Sequence, residues 1–253
     1  MIKNLIIPLA GLGSRFKKEN FSTIKPLITI DKNNCIFEES IKELPEAKNK
    51  IAIINKKVFL KYSILRKILD KNKIKYLLLD KETLGQSDTC FKSKKLISLN
   101  NDLFIHSSDY IMKYSYSKFK KLCLTSDVII FTVKLGSSIV KNYNDYAYCM
   151  EKNRKVSKIV EKKTISKKPQ NDSMIVGSFW FKKASDFFIS HEIAEKNKNF
   201  VNKELYVANN LNSLIKKKKI IRTFEVLYWK NLGDYFSYNQ YIYWKNYFEK
   251  INL

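Results

Sequence analysis

The stretch that most constrains this chain lies in its first thirty residues. Asn4-Leu5-Ile6-Ile7-Pro8-Leu9 is a short apolar run that breaks at once into Ala10-Gly11-Leu12-Gly13-Ser14-Arg15-Phe16, and Lys25-Pro26-Leu27-Ile28 follows soon after. An apolar run of this length that ends in a glycine turn reads as a buried strand feeding a loop. Gly11 and Gly13 let the backbone approach a ligand closely, and the freed N–H groups can point at phosphate oxygens. Arg15 adds a forked cation beside them and Lys25 a point charge. A strand, a glycine loop and two spaced cations suit a nucleotide triphosphate. The third position of a dinucleotide fingerprint is Phe16 rather than glycine, and no Gly-Lys-Ser/Thr closes a P-loop. A bare Gly-x-Gly equally describes a tight turn with no ligand.

At 253 residues the chain is long enough for one large domain, and 45% hydrophobic residues mark it as globular. Its halves differ in pattern. Apolar runs at 4–9, 50–55, 75–80, 103–106 and 128–133 read as strands, with helices expected over 58–71 and, after a loop, within 83–96. This alternation implies an α/β fold with a Rossmann-like, mostly parallel sheet flanked by helices. Beyond residue 140 a hairpin is expected around Lys152-Asn153-Arg154. It is followed by an apolar strand over 173–181 broken by Gly177, a helix over 201–218, a strand over 220–229 and an aromatic helix over 234–249. We read one domain over 1–253, with a ligand-binding half over about 1–140 and a second half over 141–253.

No apolar run approaches the ~20 residues of a membrane span, and no signal peptide is apparent at the start. Cys35, Cys90, Cys123 and Cys149 are scattered and only two histidines are present, which argues against structural zinc and for a reduced, cytoplasmic protein. The net charge of +24 raises nucleic-acid binding, but Lys, Asn and Ile abound together as in A/T-rich coding, and the lysines are spread through the chain. No nucleic-acid partner is therefore assigned. The field still favours anionic substrates. The sequence specifies no oligomeric state.

The string from Ile7 to Arg15, with Lys25-Pro26, resembles the N-terminal motif of the sugar-nucleotidyltransferase superfamily, relatives of the GT-A glycosyltransferases. That motif reads Gly-Gly-x-Gly-Thr/Ser-Arg followed by Lys-Pro; here Ala10 replaces the first glycine. The resemblance implies an enzyme that joins an NTP to a phosphorylated acceptor and releases pyrophosphate, with Mg²⁺ as cofactor. It implies nucleotide contacts from Leu9, Ala10, Gly11, Gly13, Ser14, Arg15 and Lys25, with Arg15 and Lys25 as catalytic cations. The 1–140 half would then bind nucleotide and the 141–253 half the acceptor.

Further positions match the superfamily's motifs. Ser107-Ser108-Asp109 ends an apolar strand, as the metal-binding motif does, and so implies Asp109 as metal ligand and Ser108 beside the nucleotide. By spacing alone Asp109 could equally cap a helix. Gly85-Gln86 matches the stretch that lies against base and ribose; alone it is equally a βα turn. Glu161-Lys162 matches a hairpin strand whose lysine meets the acceptor's phosphate and whose glutamate meets a hydroxyl or amine; alone it reads as a solvated edge. Gly177 fits a close backbone approach within a strand, and the resemblance puts it in the acceptor pocket. Glu204, read at a helix start, resembles an acceptor-side glutamate, or simply favours the helix dipole. Trp229-Lys230-Asn231-Leu232-Gly233-Asp234 resembles Trp-x-Asp-x-Gly-Thr. Asn231 stands where many members place a second metal-binding aspartate, so either Asp109 carries more of the metal or Asp234 contributes from a shifted position.

No partner makes His106 or His191 part of a serine triad. The expected chemistry needs no protein nucleophile, because an acceptor phosphate oxygen is already anionic. The opening wording resembles a branch acting in capsule or surface polysaccharide assembly. It implies CTP and phosphoglutamine as the favoured pair, with hexose 1-phosphates or phosphocholine as alternative acceptors. A catalytically inactive nucleotide-binding subunit is the different-class alternative, motivated by Asn231.

Overall fold

Every central strand alternates its apolar side chains between two cores. The computed structural model describes residues 1–11, 16, 21, 23–136 and 140–251. In β1 (Ile2–Pro8), Leu5 and Ile7 enter one core and Ile6 the other. In β2 (Ala47–Asn55), Ala52 and Ile54 oppose Ile51 and Ile53 in the same way. β3 (Lys75–Leu79), β4 (Leu103–His106), β5 (Tyr110–Lys113) and β6 (Val128–Val133) follow in the first half. β7 (Ala147–Lys152), β8 (Lys155–Glu161), β9 (Ser173–Phe181), β10 (Ile221–Glu225) and β11 (Tyr228–Asn231) complete the strands. Burial on both faces explains why these strands read as continuous apolar runs. Each fully buried Ile or Phe contributes roughly 1.5–3 kcal/mol.

The described residues form a nine-stranded sheet in the order β3-β2-β1-β4-β9-β6-β10-β8-β7. β1 to β4 are parallel neighbours, as are β6 and β10, whereas β9 runs antiparallel between β4 and β6, and β8 antiparallel between β10 and β7. The sheet is thus mixed: seven of its nine strands run in one direction, and β8 and β9 run against them. It runs through both halves of the chain. A separate antiparallel ribbon pairs β5 with β11 and sets Asn231 opposite Tyr110.

The helices are α1 (Ile36–Ile41), α2 (Lys56–Lys61), α3 (Ser63–Lys71), α4 (Gln86–Phe91), α5 (Tyr116–Cys123), α6 (Ala184–Lys196), α7 (Val207–Asn210), α8 (Asn212–Lys216) and α9 (Tyr235–Lys250). Leu65, Ile68 and Leu69 of α3 and Phe119 of α5 cover one core. Cys90 of α4, Phe187 and Phe188 of α6 and Leu214 of α8 cover the other. No helix among the described residues is long and apolar enough to cross a membrane.

Several expected elements are divided. The helix over 58–71 breaks at Tyr62, whose φ of −117° and ψ of 84° are not helical. The helix within 83–96 shortens to α4 and a 3-10 turn, Lys94–Leu96. The helix over 201–218 starts only at Val207, because Asn202 and Lys203 take left-handed backbone and Val201 pairs with Glu204. The strand over 220–229 is two strands in different sheets. The sequence reading assigns nothing to β5 or α6. The hairpin turn at Asn153-Arg154 has φ of 51° and 65°, the two positive values of a tight hairpin.

Candidate active site

The main cleft opens at the carboxyl ends of β1 and β4, and its position follows from the strand order. β1 has β2 on one side and β4 on the other, so the connections diverge there and leave a crevice. Its volume is about 500 Å³, within the roughly 300–1,000 Å³ usual for small-molecule sites. Leu9, Ala10, Gly11, Lys25, Gly85, Gln86, Ser108 and Asp109 line it from the first half, and Glu161, Lys162, Gly177, Glu204 and Asn231 from the second. Gly13, Ser14 and Arg15 lie outside the described residues.

Lys25 and Asp109 form a half-buried ion pair, Nζ to Oδ2, at 2.8 Å. Strand β5, not a helix, follows Asp109, which removes the helix-capping alternative. The β5–β11 ribbon carries Asn231 to the same place, where the Leu232 N–H donates to the Asp109 carbonyl at 2.8 Å. A Cβ on Gly233 would stand 2.7 Å from Asp109 Oδ2 and 3.0 Å from Asn231 Oδ1. One carboxylate oxygen and one amide carbonyl oxygen therefore flank a space that any larger residue would fill.

Asp234 does not line this cleft. Its carboxylate caps α9, accepting from the Ser237 N–H at 2.9 Å and the Ser237 hydroxyl at 2.9 Å. It also accepts from Asn231 Nδ2 at 2.5 Å, while Asn231 Oδ1 accepts the Gly233 N–H at 2.8 Å. Asp234 thus orients the Asn231 amide and leaves its carbonyl oxygen on the Asp109 side. Mg²⁺ takes hard oxygen ligands and often only one or two carboxylates, the rest coming from water and phosphate. Asp109 and Asn231 fit that chemistry. Among the described residues no group of three or more His, Cys, Asp or Glu could hold a metal, so the remaining ligands of an ion here would be water or phosphate oxygens.

The wall beside these two oxygens is stitched from four segments. Gly85, at φ +102°, packs so tightly that a Cβ would lie 2.9 Å from Glu204 Cβ and 3.0 Å from the Leu205 backbone. The Leu205 N–H donates to Leu84 O at 2.6 Å and the Ser87 N–H to Leu205 O at 2.9 Å. Gln86 Nε2 donates to Ser107 Oγ at 2.5 Å, and Ser107 Oγ to the Gly177 carbonyl at 3.2 Å. Gly177 is itself at φ +100°, and a Cβ there would lie 2.8 Å from Ser107 Oγ. Beneath them lies a buried polar triangle of His106, Tyr110 and Ser178. Burial pushes the His106 imidazole down to about 3, partly opposed by the Asp109 carboxylate, so it is neutral across the working pH range.

The far wall is the end of the β7–β8 hairpin. Glu161 and Lys162 are half-buried, which argues against a merely solvated edge. Lys162 takes φ +55°, directs its ammonium to the Asp145 carbonyl, and stands 5.5 Å from the centre of the Tyr206 ring. Burial pushes the Glu161 carboxyl up to about 7; the Lys162 ammonium pulls it down and the Glu204 carboxylate adds to the rise. Glu204 sits in the turn before α7 rather than at a helix start, and the Tyr206 hydroxyl donates to it. Trp229 and Tyr146 meet edge to face at 5.9 Å and close the cleft between the hairpin and β11.

Sequence reasoning missed Ser107, Tyr110, Tyr146, Tyr206 and Trp229 as lining residues, and Gly233 as the cradle. Ser107, Tyr206, Trp229 and Gly233 each carried a signal, standing in or beside the motifs around Asp109, Glu204 and Asn231; Tyr110 and Tyr146 carried none.

No family model matches the chain, and no curated protein matches it. Solved structures do. A nucleoside-diphosphate-sugar pyrophosphorylase from Vibrio cholerae RC9 superposes with a TM-score of 0.75 at 18% identity, covering 94% of this chain and 99% of that one. A UDP-glucose pyrophosphorylase from Acinetobacter baumannii gives 0.68 at 17% identity, over 96% and 92%. An inositol-1-phosphate CTP transferase from T. maritima gives 0.67 at 12% identity, over 95% of each chain. At these identities the likeness establishes a shared fold over nearly the whole chain.

Proposed function

We propose that this protein is a Mg²⁺-dependent nucleotidyltransferase that transfers NMP from an NTP to a phosphorylated small molecule and releases pyrophosphate. The observation that carries this reading is the convergence on one cleft of the Leu9-Ala10-Gly11 segment, the Lys25–Asp109 pair, Asn231 and the Glu161-Lys162 hairpin end. CTP is the favoured nucleotide and phosphoglutamine the favoured acceptor, in capsule or surface polysaccharide modification within the cytoplasm. The inositol-1-phosphate CTP transferase among the structural neighbours is compatible with CTP. The sugar pyrophosphorylases favour a second reading, a hexose 1-phosphate acceptor with UTP or dTTP.

Asp109 and Asn231 would hold the metal, which when bound neutralises phosphate charge and favours departure of pyrophosphate. The backbone at Ala10-Gly11 and the side chains of Arg15 and Lys25 bind the triphosphate. Gln86, held by Ser107, faces the base and ribose. Lys162 receives the acceptor's phosphate, and Glu161 and Glu204 its hydroxyl or amine groups. The acceptor's phosphate oxygen attacks the α-phosphorus in line, the bond to the β-phosphate's bridging oxygen breaks, and pyrophosphate leaves. Catalysis is then positioning plus charge neutralisation.

The test is pyrophosphate release with each ribonucleoside triphosphate and dTTP, with Mg²⁺, against phosphoglutamine, phosphocholine, inositol 1-phosphate and hexose 1-phosphates. Release with CTP and phosphoglutamine is expected. UTP or dTTP with a hexose 1-phosphate moves the enzyme to the second reading. Nucleotide binding without turnover across the panel supports the inactive-subunit alternative.

A further inference from the structure

The loop that presents Asp109 is only three residues long, Ser107-Ser108-Asp109, and both its flanking residues end in one buried polar knot. His106, the last residue of β4, and Tyr110, the first of β5, are buried at 0% and 2% exposure. The Tyr110 hydroxyl lies 3.0 Å from His106 Nδ1 and 2.5 Å from Ser178 Oγ, and Ser178 Oγ lies 2.8 Å from His106 Nδ1. Ser178 is fully buried and pairs with His106 across the β4–β9 register. Its hydroxyl also donates to Met112 Sδ at 3.8 Å. Outside the knot the loop's start is tied to the same strand, since the Ser107 N–H donates to the Gly177 carbonyl at 3.2 Å. The Tyr110 ring edge comes within 3.2 Å of where a Gly177 Cβ would stand, so no larger residue separates the two.

A phenol is a costly choice for a site that a phenylalanine would fill equally well, because its hydroxyl must find partners when buried. Here it finds two, and they fix the height and rotation of β5 relative to β9. Asp109 immediately precedes that phenol, and its carbonyl is held in turn by the Leu232 N–H.

We propose that Tyr110 is a positioning residue: its hydroxyl, locked to Ser178 and His106, holds the loop so that the Asp109 carboxylate meets the Asn231 carbonyl across Gly233. The proposal rests on the metal-holding role given to Asp109 above. In this role Tyr110, which also lines the cleft, holds its neighbour rather than the ion or the substrate. It acts through the backbone of its neighbour, as outer partners of metal ligands do.

Tyr110→Phe removes the hydroxyl alone. The expected result is a Mn²⁺ dissociation constant raised about tenfold, measured by electron paramagnetic resonance with CTP present. The Mg²⁺ concentration for half-maximal pyrophosphate release should rise in parallel. Ser178→Ala should shift the Mn²⁺ constant in the same direction, and it carries the test if Tyr110→Phe does not fold. Folded variants that melt lower but keep the wild-type Mn²⁺ constant overturn the proposal and leave Tyr110 a packing residue. If wild type binds no Mn²⁺ and needs no metal, the metal-holding role of Asp109 fails and the proposal fails with it. A wild-type metal requirement with unshifted variants sinks the positioning role alone.

Discussion

Glu161 shows how a single carboxyl reports on its cleft. Its ionisation is moved from the usual 4.5 to about 7, chiefly by burial. Between those values the folded chain keeps a proton that the unfolded chain has lost. Stability contributed here therefore falls as pH rises from about 4.5 to about 7 and stays lost above. Glu161→Gln abolishes that dependence, so its melting temperature should exceed wild type at pH 8 and match it near pH 4.5. Equal melting curves at both pH values would show that the carboxyl is not desolvated. Gly233 is read differently, through space. Gly233→Ala places a methyl between Asp109 Oδ2 and Asn231 Oδ1, whose flexible ends can yield, so the fold should survive. Metal-dependent turnover is expected to fall at least tenfold, about 1.4 kcal/mol of barrier, as measured by pyrophosphate release alongside circular dichroism.

At the level of strands and helices, what the sequence made legible was local. The runs at 4–9, 50–55 and 128–133 are apolar on both faces because helices cover both faces, and a buried strand of that kind announces itself. The position of Asp109 after a strand was legible for the same reason. The β5–β11 ribbon was not. Tyr110-Ile111-Met112-Lys113 is four residues long, and its partner arrives from the far end of the chain. Residues 220–229 read as one strand, yet after β10 the Val226 N–H still donates to Thr132 O while the Leu227 N–H already donates to Lys113 O. The chain changes sheets within one residue, and periodicity carries no mark of it. The late start of α7 has a similar cause, since Leu205 is taken up in stitching the Gly85 turn. Two glycine substitutions separate the roles of turns. Gly85→Ala, at φ +102° and against backbone atoms at 3.0 Å, should lower stability by about 1–3 kcal/mol, seen as a lower melting temperature. Gly11→Ala meets nothing within 4 Å and should melt as wild type does.

The whole molecule carries a net charge of +24, and the substrate proposed for its cleft is a polyanion. If that field gathers substrate, the KM for NTP should rise severalfold as salt shortens the Debye length from about 10 Å at 0.1 M to about 3 Å at 1 M, with kcat moving less. A KM indifferent to salt would assign the lysine excess to coding bias alone. The β5–β11 ribbon has a consequence for the chain's own birth. Asp109 and Asn231 meet only through a pairing between the middle of the chain and its last strand. A ribosome that has released β1 to β10 has made all nine strands of the main sheet, but not the ribbon that brings Asn231 beside Asp109. On the role proposed for these two residues, the oxygens that would hold the metal come together only in the final moments of synthesis, so a product clipped before Asn231 would carry the main sheet without that pair.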